Sequence, residues 1–201
     1  MTTVVRSAAV TTLRTAAIAV GTAITAAAAH AAPYAIDPTH TFVTFELPAP
    51  GGLSTQRGRF DRTQGEAEFD RLGRSASVEI RIDAGSVSTG VAALDAWLCS
   101  AAVLDCAKNP QAVFRAAQFA FGDSGLPTQA TGSLTLRGTT QPLVLRARRF
   151  NCYPNLLLLR EVCGGDFEAT LEPAAFGIET GAAAGLPARI PLLVQVEAIK
   201  Q

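Results

Sequence analysis

The sequence predicts an all-β protein in which eight antiparallel strands close into a barrel, together with one or two short helices. Three observations support this fold class. Short segments of alternating apolar and polar residues follow one another along the chain, turn residues separate them, and four cysteines occur as two close pairs. A chain of 201 residues is long enough to bury the core of one such domain.

The first element is a predicted secretory signal peptide over residues 1–31. Arg6 and Arg14 precede a stretch rich in alanine, threonine, isoleucine and valine at residues 15–29, and small residues follow it. A retained membrane anchor is the alternative, but the stretch is weakly hydrophobic and shorter than the roughly 20 apolar residues of a spanning helix. We therefore expect the folded domain to comprise residues 32–201 and to reside in the periplasm.

The predicted strands are the segments in which apolar residues recur with a period of two. In one of them Val78, Ile80 and Ile82 share a face, whereas Glu79 and Arg81 point the other way. This alternation is typical of a sheet with one wet face. The predicted strands are residues 41–47, 58–70, 76–82, 113–121, 132–138, 142–150, 166–172 and 189–199.

Short connections join these strands in an up-and-down order. Residues 137–142 predict a tight turn, and the two glycines in residues 163–166 predict a bend. Closing such a sheet hides its apolar face and removes its exposed edges, which favours a barrel. A two-sheet sandwich is the alternative, because it has a similar strand pattern.

One short helix is predicted after Ser88 and Thr89, which are candidate capping residues. Val91, Leu94 and Leu98 then recur at three- and four-residue spacing, so they share one helical face. We expect this helix to cover one end of the barrel, with Trp97 packed at the barrel mouth.

The cysteines predict two local disulfide bonds, Cys99 with Cys106 and Cys152 with Cys163. Four cysteines allow three pairings, and the exported environment favours oxidation. Neither pair has the CxxC spacing of a zinc site, so no metal is predicted.

Composition excludes several classes of partner. The chain carries 17 basic and 17 acidic side chains, and removal of Arg6 and Arg14 with the signal leaves the mature part slightly acidic. A nucleic-acid-binding protein would need a clustered basic excess. No stretch of the mature chain is long and apolar enough to insert stably into a bilayer. The sequence leaves the oligomeric state open between a monomer and a homodimer.

His40 is the only histidine outside the predicted signal, so any histidine-dependent catalysis would require it. Asp37 could orient its ring, but no GxSxG motif supplies a nucleophile. We therefore predict no catalytic residues, no required cofactor and no enzymatic reaction.

Apolar residues on the predicted inward faces are candidates for lining a ligand cavity. Phenylalanine is frequent among them, whereas tyrosine and tryptophan are scarce. A solid hydrophobic core is the alternative reading of the same residues. The predicted lining residues are Val43, Phe45, Val78, Ile80, Phe114, Phe119, Phe121, Leu134, Leu136, Phe167, Leu192 and Val194.

Several strings, in order, resemble the YceI-like family of polyisoprenoid-binding periplasmic proteins. They are YAIDPTHTFVTFEL from Tyr34, RGRF at residues 57–60, SVSTG at residues 86–90, LDAWL at residues 94–98, GSLTLRGTTQPLVL from Gly132, and FGI at residues 176–178. The resemblance implies an eight-stranded lipocalin-like barrel. It also implies that the lumen binds a long isoprenoid chain, such as that of a quinone or a polyprenyl phosphate.

The chain departs from the family pattern at polar positions. Pro48 and Ala49 stand where a second histidine is usual, Leu94 replaces an arginine, and the arginine before FGI is missing from EPAA at residues 172–175. These losses favour a neutral quinone or fatty amide over a charged phosphate.

The sequence therefore predicts a periplasmic carrier that sequesters a hydrophobic small molecule, an isoprenoid quinone or polyprenyl lipid. Two alternatives remain: a lipid-modifying enzyme that uses His40, and a structural or stress-response barrel without a ligand. The first predicts loss of turnover when His40 is replaced by alanine, and the second predicts a filled lumen.

Overall fold

The computed structural model describes residues 1–2 and 31–201, so the predicted signal peptide lies largely outside the described residues. The described chain forms eleven strands, one α-helix and three short 3-10 turns. The strands are β1 (Ala32–Ile36), β2 (Phe42–Pro48), β3 (Thr55–Phe60), β4 (Thr63–Asp70), β5 (Ser75–Asp83), β6 (Val87–Ser88), β7 (Gln111–Phe121), β8 (Pro127–Leu136), β9 (Thr139–Asn155), β10 (Arg160–Leu171) and β11 (Ile190–Lys200); the helix is α1 (Ala92–Leu98).

These strands form a closed, eight-stranded antiparallel barrel, as predicted. β1 and β2 both pair with β11 and together make the first barrel strand. The second barrel strand is β3 with β4, and the third is β5 with β6. The remaining five strands follow in order, and pairing of Tyr34 with Lys200 and of Val43 with Val194 closes the ring.

The barrel has two distinct ends. Because consecutive barrel strands run in opposite directions, α1 and the long connection at residues 172–189 lie at one end, which we call the capped end. The turns at residues 71–74, 122–126 and 156–159 lie at the other, which we call the open-turn end. No helix of the described part is both long and apolar enough to cross a bilayer.

Register shifts change which residues face inward, and they lie between Ala116 and Gln118, between Ala120 and Phe121, and between Asp166 and Phe167. The pairing of β7 with β8 shifts register between Ala116 and Gln118. Ala116 is buried, and Phe119 packs against the core. Residues three apart in a regular strand point to opposite faces, so both face inward only because the register shift lies between them. In the pairing of β10 with β9, Asp166 lies opposite Arg149 and Phe167 lies opposite Ala147, so β9 contains one extra residue at this shift. Phe150 therefore packs against the core.

The predicted bend at residues 163–166 is wrong, because these residues lie inside β10. A Cβ atom on Gly165 would collide with the backbone carbonyl oxygen of Arg149 on β9. A Cβ atom on Gly164 would collide in the same way with Val196 on β11. These glycines therefore permit a close approach between strands rather than ending one.

The helix is confirmed, but its predicted caps are not. α1 begins after Val91, which makes no side-chain capping bond. Thr89 instead donates from its backbone nitrogen and its hydroxyl to Oδ1 of Asp95, at 2.7 and 2.6 Å. The carboxylate of Asp95 in α1 thus holds Thr89, which lies in the segment before the helix.

The local disulfide pairs are present, Cys99 with Cys106 and Cys152 with Cys163. The second bond joins directly opposed residues of β9 and β10. The first closes a loop beside α1, at the capped end of the barrel.

Candidate binding cavity

The barrel interior contains two apolar cavities in line along its axis. The cavity at the capped end has a volume of about 110 Å³, and the one at the open-turn end has about 80 Å³. Ile80, Phe114, Leu145 and Val194 line both cavities, so the two volumes are neighbours separated only by side chains. The interior is therefore neither an open channel nor a completely filled core.

The larger cavity is closed by residues that come from outside the barrel wall. All of its lining residues are apolar, so a ligand there would meet no side-chain hydrogen-bond donor. The closing residues are Leu98, Val103, Leu104, Pro173, Ile178 and Leu186.

Arg137 links the two segments that close this cavity. It stands in the two-residue turn between β8 and β9, where Arg137 and Gly138 both have positive φ angles, 52° and 74°. Its guanidinium donates to the carbonyl oxygen of Ala101 at 2.8 Å and to that of Gly177 at 3.0 Å. One side chain thus joins the loop after α1 to the connection that precedes β11.

The smaller cavity is lined by aromatic rings in contact across the barrel. The ring centroids of Phe69 and Phe150 are 5.9 Å apart, and those of Phe150 and Phe167 are 6.2 Å apart. Tyr34 lies beside Phe69 with centroids 6.4 Å apart. These rings fill much of the lumen and keep the second cavity small.

Tyr34 supplies a polar group at this end. It is only 3% exposed, and its hydroxyl donates to Oε1 of Glu161 at 2.6 Å. Burial, the bond to Glu161 and the negative charge of Glu161 all raise the pKa of Tyr34 well above its ordinary value. The tyrosine therefore stays protonated and acts as a hydrogen-bond donor.

Eleven of the twelve predicted lining residues border a cavity. The exception is Phe121, which packs beside Phe119 with ring centroids 6.3 Å apart. The residues that border the larger or the smaller cavity are Val43, Phe45, Val78, Ile80, Phe114, Phe119, Leu134, Leu136, Phe167, Leu192 and Val194.

Several lining residues were not predicted. Tyr34 and Ile36 belong to β1, a five-residue strand too short to stand out as an alternating pattern. Phe150 was placed in a strand, but the bulge that turns it inward leaves no mark in the alternation. Among the residues that close the capped end, Leu98 was placed on the helix by its spacing, whereas Val103, Leu104, Ile178 and Leu186 come from irregular segments, where sequence periodicity carries no information.

His40 and Asp37 are in contact, but they border neither cavity. Nδ1 of His40 lies 2.7 Å from Oδ2 of Asp37, and the histidine side chain is 58% exposed. The hydrogen bond and the negative charge of Asp37 raise the pKa of His40. For Asp37, burial favours the neutral acid but the bonds from His40 and Thr39 outweigh it, so its pKa is lowered.

Asp37, His40 and Glu197 could together offer donor atoms to a metal ion, because one ligand atom of each lies within 4.8 Å of the others. In the structure the Asp37 carboxylate is already engaged by His40 and by Thr39, whose hydroxyl donates to Oδ1 at 2.7 Å. The arrangement is that of an ion pair supporting the loop between β1 and β2.

The fold and the interior define a class, a small closed antiparallel β-barrel with an apolar lumen. Residues 34–198 match the YceI-like domain family, and the chain belongs to that family. A UPF0312 protein of Pseudomonas paraeruginosa is 36% identical over 191 residues, which cover 92% of this chain and 97% of the relative.

Solved structures share the fold at lower identity. The YceI protein of Campylobacter jejuni is 20% identical with a TM-score of 0.64, covering 74% of this chain and 87% of its own. A polyisoprenoid binding domain from Saccharophagus degradans is 17% identical with a TM-score of 0.58, covering 86% of this chain and all of its own. Both similarities bear on the architecture of the barrel.

Proposed function

We propose that the protein is a periplasmic carrier that holds the isoprenoid chain of a quinone or polyprenyl lipid inside its barrel. The observation that carries this proposal is the pair of apolar cavities that meet at Ile80, Phe114, Leu145 and Val194. The polyisoprenoid binding named for the Saccharophagus domain supports the same ligand class.

The hydrophobic effect supplies the affinity in this proposal. Each buried methylene group contributes about 0.8 kcal/mol, so a chain of several isoprene units has a large favourable transfer free energy. Cavities lined by aliphatic and aromatic side chains stay dry and bind apolar molecules. Binding therefore strengthens with chain length, whereas the head group adds modest selectivity.

The cavity volumes require the barrel to adjust. A cavity of roughly 150 Å³ lined by similar residues accommodates benzene, and each cavity here is smaller. A long chain therefore fits only when side chains between the cavities move. The side chains at the junction are those of Ile80, Phe114, Leu145 and Val194, and rotation of the Phe69, Phe150 and Phe167 rings would in addition enlarge the smaller cavity.

The polar pair at the open-turn end favours a neutral head group. Oε1 of Glu161 accepts the Tyr34 hydroxyl at 2.6 Å and lies 3.8 Å from Nζ of Lys200, so this cluster has no net positive charge with which to attract a phosphate. A quinone ring or an amide is neutral, and an amide N–H could donate to the Tyr34 oxygen, whose single proton is already donated to Glu161.

The decisive experiment identifies what co-purifies with the protein from its own host. Native mass spectrometry and organic extraction are expected to yield an isoprenoid lipid in a one-to-one complex. A protein that carries no lipid and takes up none when offered a long-chain quinone would contradict the proposal and favour a ligand-free structural barrel.

Neighbouring residues on β9 provide a matched pair of variants. Leu145 lines both cavities, whereas Val144 is 37% exposed on the outside. Leu145→Trp fills the junction and is expected to abolish lipid retention, and Val144→Trp to leave it unchanged. Leu145→Ala enlarges the junction and should preserve retention, which separates filling of the lumen from loss of folding.

A reaction at His40 has no support from its location, because the imidazole borders neither cavity. The lipid-modifying alternative requires His40→Ala to stop turnover of a bound lipid. We expect instead that this variant retains lipid as the unchanged protein does, with the extracted lipid chemically identical.

A further inference from the structure

The hairpin of β9 and β10 carries four consecutive exposed leucines at its tip. Leu156, Leu157, Leu158 and Leu159 are 82%, 95%, 47% and 86% exposed. Soluble proteins expose single apolar residues routinely, whereas a contiguous apolar cluster commonly marks an interaction site. We call these four residues the leucine tip.

The leucine tip projects beyond the barrel wall. Pairing of β9 with β8 stops at Arg146, although β9 continues to Asn155. On the other side, pairing of β10 with β11 stops at Val162. The last part of the hairpin is therefore a two-stranded ribbon without a neighbouring strand.

The ribbon holds the leucine tip in a defined conformation. Oδ1 of Asn155 accepts hydrogen bonds from the backbone nitrogens of Leu157 and Leu158, at 3.0 and 3.1 Å. The bond between Cys152 and Cys163 joins the two strands at the base of the ribbon. Ordering of the leucines thus requires no binding partner.

A second turn at the same end has a similar composition. Leu72 is 94% exposed and stands between Arg71 and Arg74 in the turn from β4 to β5. Both turns lie at the open-turn end because the barrel is an up-and-down meander. This end also contains the Tyr34 and Glu161 pair at the smaller cavity.

Positive charge accompanies the exposed leucines. The carboxylates beside the two turns are engaged: Asp70 accepts from the backbone nitrogens of Leu72 and Gly73, and Glu161 accepts from Tyr34 and lies 3.8 Å from Lys200. Asp123 stands in the third turn of this end. Arg71, Arg74 and Arg160 flank the exposed leucines. These arginines bond to backbone carbonyl oxygens or to Gln201, and within the described part of the chain none is in an ion pair.

We infer that the open-turn end docks on an anionic lipid bilayer, with the leucine tip inserted among the acyl chains and the arginines at the lipid head groups. Exposed leucines flanked by basic residues are the chemistry of interfacial membrane binding. A narrow convex tip offers little matching area to a folded protein, whereas fluid acyl chains adapt to any shape. Docking brings the smaller cavity towards the bilayer and does not depend on what the lumen holds.

Vesicle binding by the purified, lipid-free protein tests this inference. The partition coefficient is measured by co-sedimentation with vesicles of phosphatidylethanolamine and phosphatidylglycerol, and with vesicles of phosphatidylcholine alone. We expect binding to the anionic vesicles that weakens as salt is added, because the arginines contribute through long-range attraction.

Variants at the two ends of the barrel separate the leucine tip from general hydrophobicity. Combined replacement of Leu156, Leu157 and Leu159 by glutamine is expected to lower the partition coefficient about tenfold or more. Leu53→Gln is the matched control, since Leu53 is 90% exposed at the capped end. It should bind vesicles like the unchanged protein.

The inference would be overturned if the protein did not bind anionic vesicles, or if the triple variant bound them equally well. It would also be overturned if the protein formed a dimer in ultracentrifugation, the triple variant did not, and neither bound vesicles. The last result would assign the leucine tip to self-association. Leu145→Trp, which blocks the lumen, should still bind vesicles, so failure of the carrier proposal and failure of docking are distinguishable.

Discussion

At the scale of single residues, Tyr34 shows how one polar atom is accommodated in an apolar lumen. Its ring packs beside Phe69, while its hydroxyl reaches the Glu161 carboxylate at the barrel end. A buried donor without a partner is costly, and this bond to a charged acceptor avoids that cost. Tyr34 therefore links the first barrel strand to β10.

Tyr34→Phe removes this bond and leaves Glu161 with Nζ of Lys200, 3.8 Å away, as its remaining partner. We expect the free energy of unfolding, measured by urea denaturation, to fall by about 1 to 3 kcal/mol. Tyr153→Phe is the control, because Tyr153 is 50% exposed on the hairpin ribbon. Equal stability of the two variants would contradict a structural role for the Tyr34 hydroxyl.

The ion pair of His40 and Asp37 predicts a pH-dependent contribution to stability. The raised pKa of His40 means that the folded state favours the protonated ring, so its contribution is full below the ordinary value of 6.5 and is lost as pH rises through the folded pKa. The lowered pKa of Asp37 means that its contribution is present above 3.8 and is lost on acidification.

His40→Gln is therefore expected to destabilise the protein more at about pH 5.5 than at about pH 8.5. The effect is small, on the order of 0.5 kcal/mol, since the imidazole is exposed and solvent screens the pair. Urea denaturation at both pH values measures it. A larger effect at the higher pH would show that the assigned charge state is wrong.

At the scale of elements, the connections at the capped end act as a cover for the larger cavity. The loop after α1 is closed by the bond between Cys99 and Cys106, and the connection before β11 lies beside it. Arg137 donates to one carbonyl oxygen in each. Closure of this end therefore depends on Arg137, which lies in the turn between β8 and β9 and is distant in sequence from both segments.

Arg137→Ala is expected to loosen both segments without disrupting the barrel. Hydrogen exchange should become faster in residues 100–104 and 173–186, while protection of β9 and β10 stays unchanged. Arg189→Ala is the control, because Arg189 is 72% exposed and makes a long ion pair, with Nε 3.8 Å from Oε1 of Glu172. Unaltered exchange in both segments would mean that their own packing holds them closed.

At the scale of the whole molecule, closure of the barrel pairs the first strand with the last and removes the sheet edges. The interior is left with about 110 and 80 Å³ of unfilled apolar space. Unfilled apolar volume lowers stability because its lining atoms lack contacts. A ligand that fills it would stabilise the folded state by mass action.

Removal of the co-purified lipid is therefore expected to lower Tm by about 5 °C or more, and re-addition of a long-chain quinone to restore it. Differential scanning calorimetry of the same preparation before and after extraction measures this. Leu145→Trp provides the control, since its filled junction should leave Tm insensitive to added quinone.

Strand alternation predicted most of the barrel correctly because it is a local property. Val78, Ile80 and Ile82 alternate with charged residues, and the structure places Ile80 and Ile82 in the core. The prediction was wrong at Gly164 and Gly165, because a glycine that permits close strand contact has the same sequence signature as a glycine in a turn. Phe119 borders the smaller cavity whereas Phe121 borders neither cavity, and a register shift of β7 against β8 lies between Ala120 and Phe121.

The sequence by itself determined an all-β chain of eight antiparallel strands, one helix and two local disulfide bonds, since each depends on residues close together along the chain. Only the tertiary structure decided the volume of the lumen, the closure by Arg137 and the exposure of the leucine tip. Each of these depends on where distant segments meet or fail to meet, which no local pattern encodes.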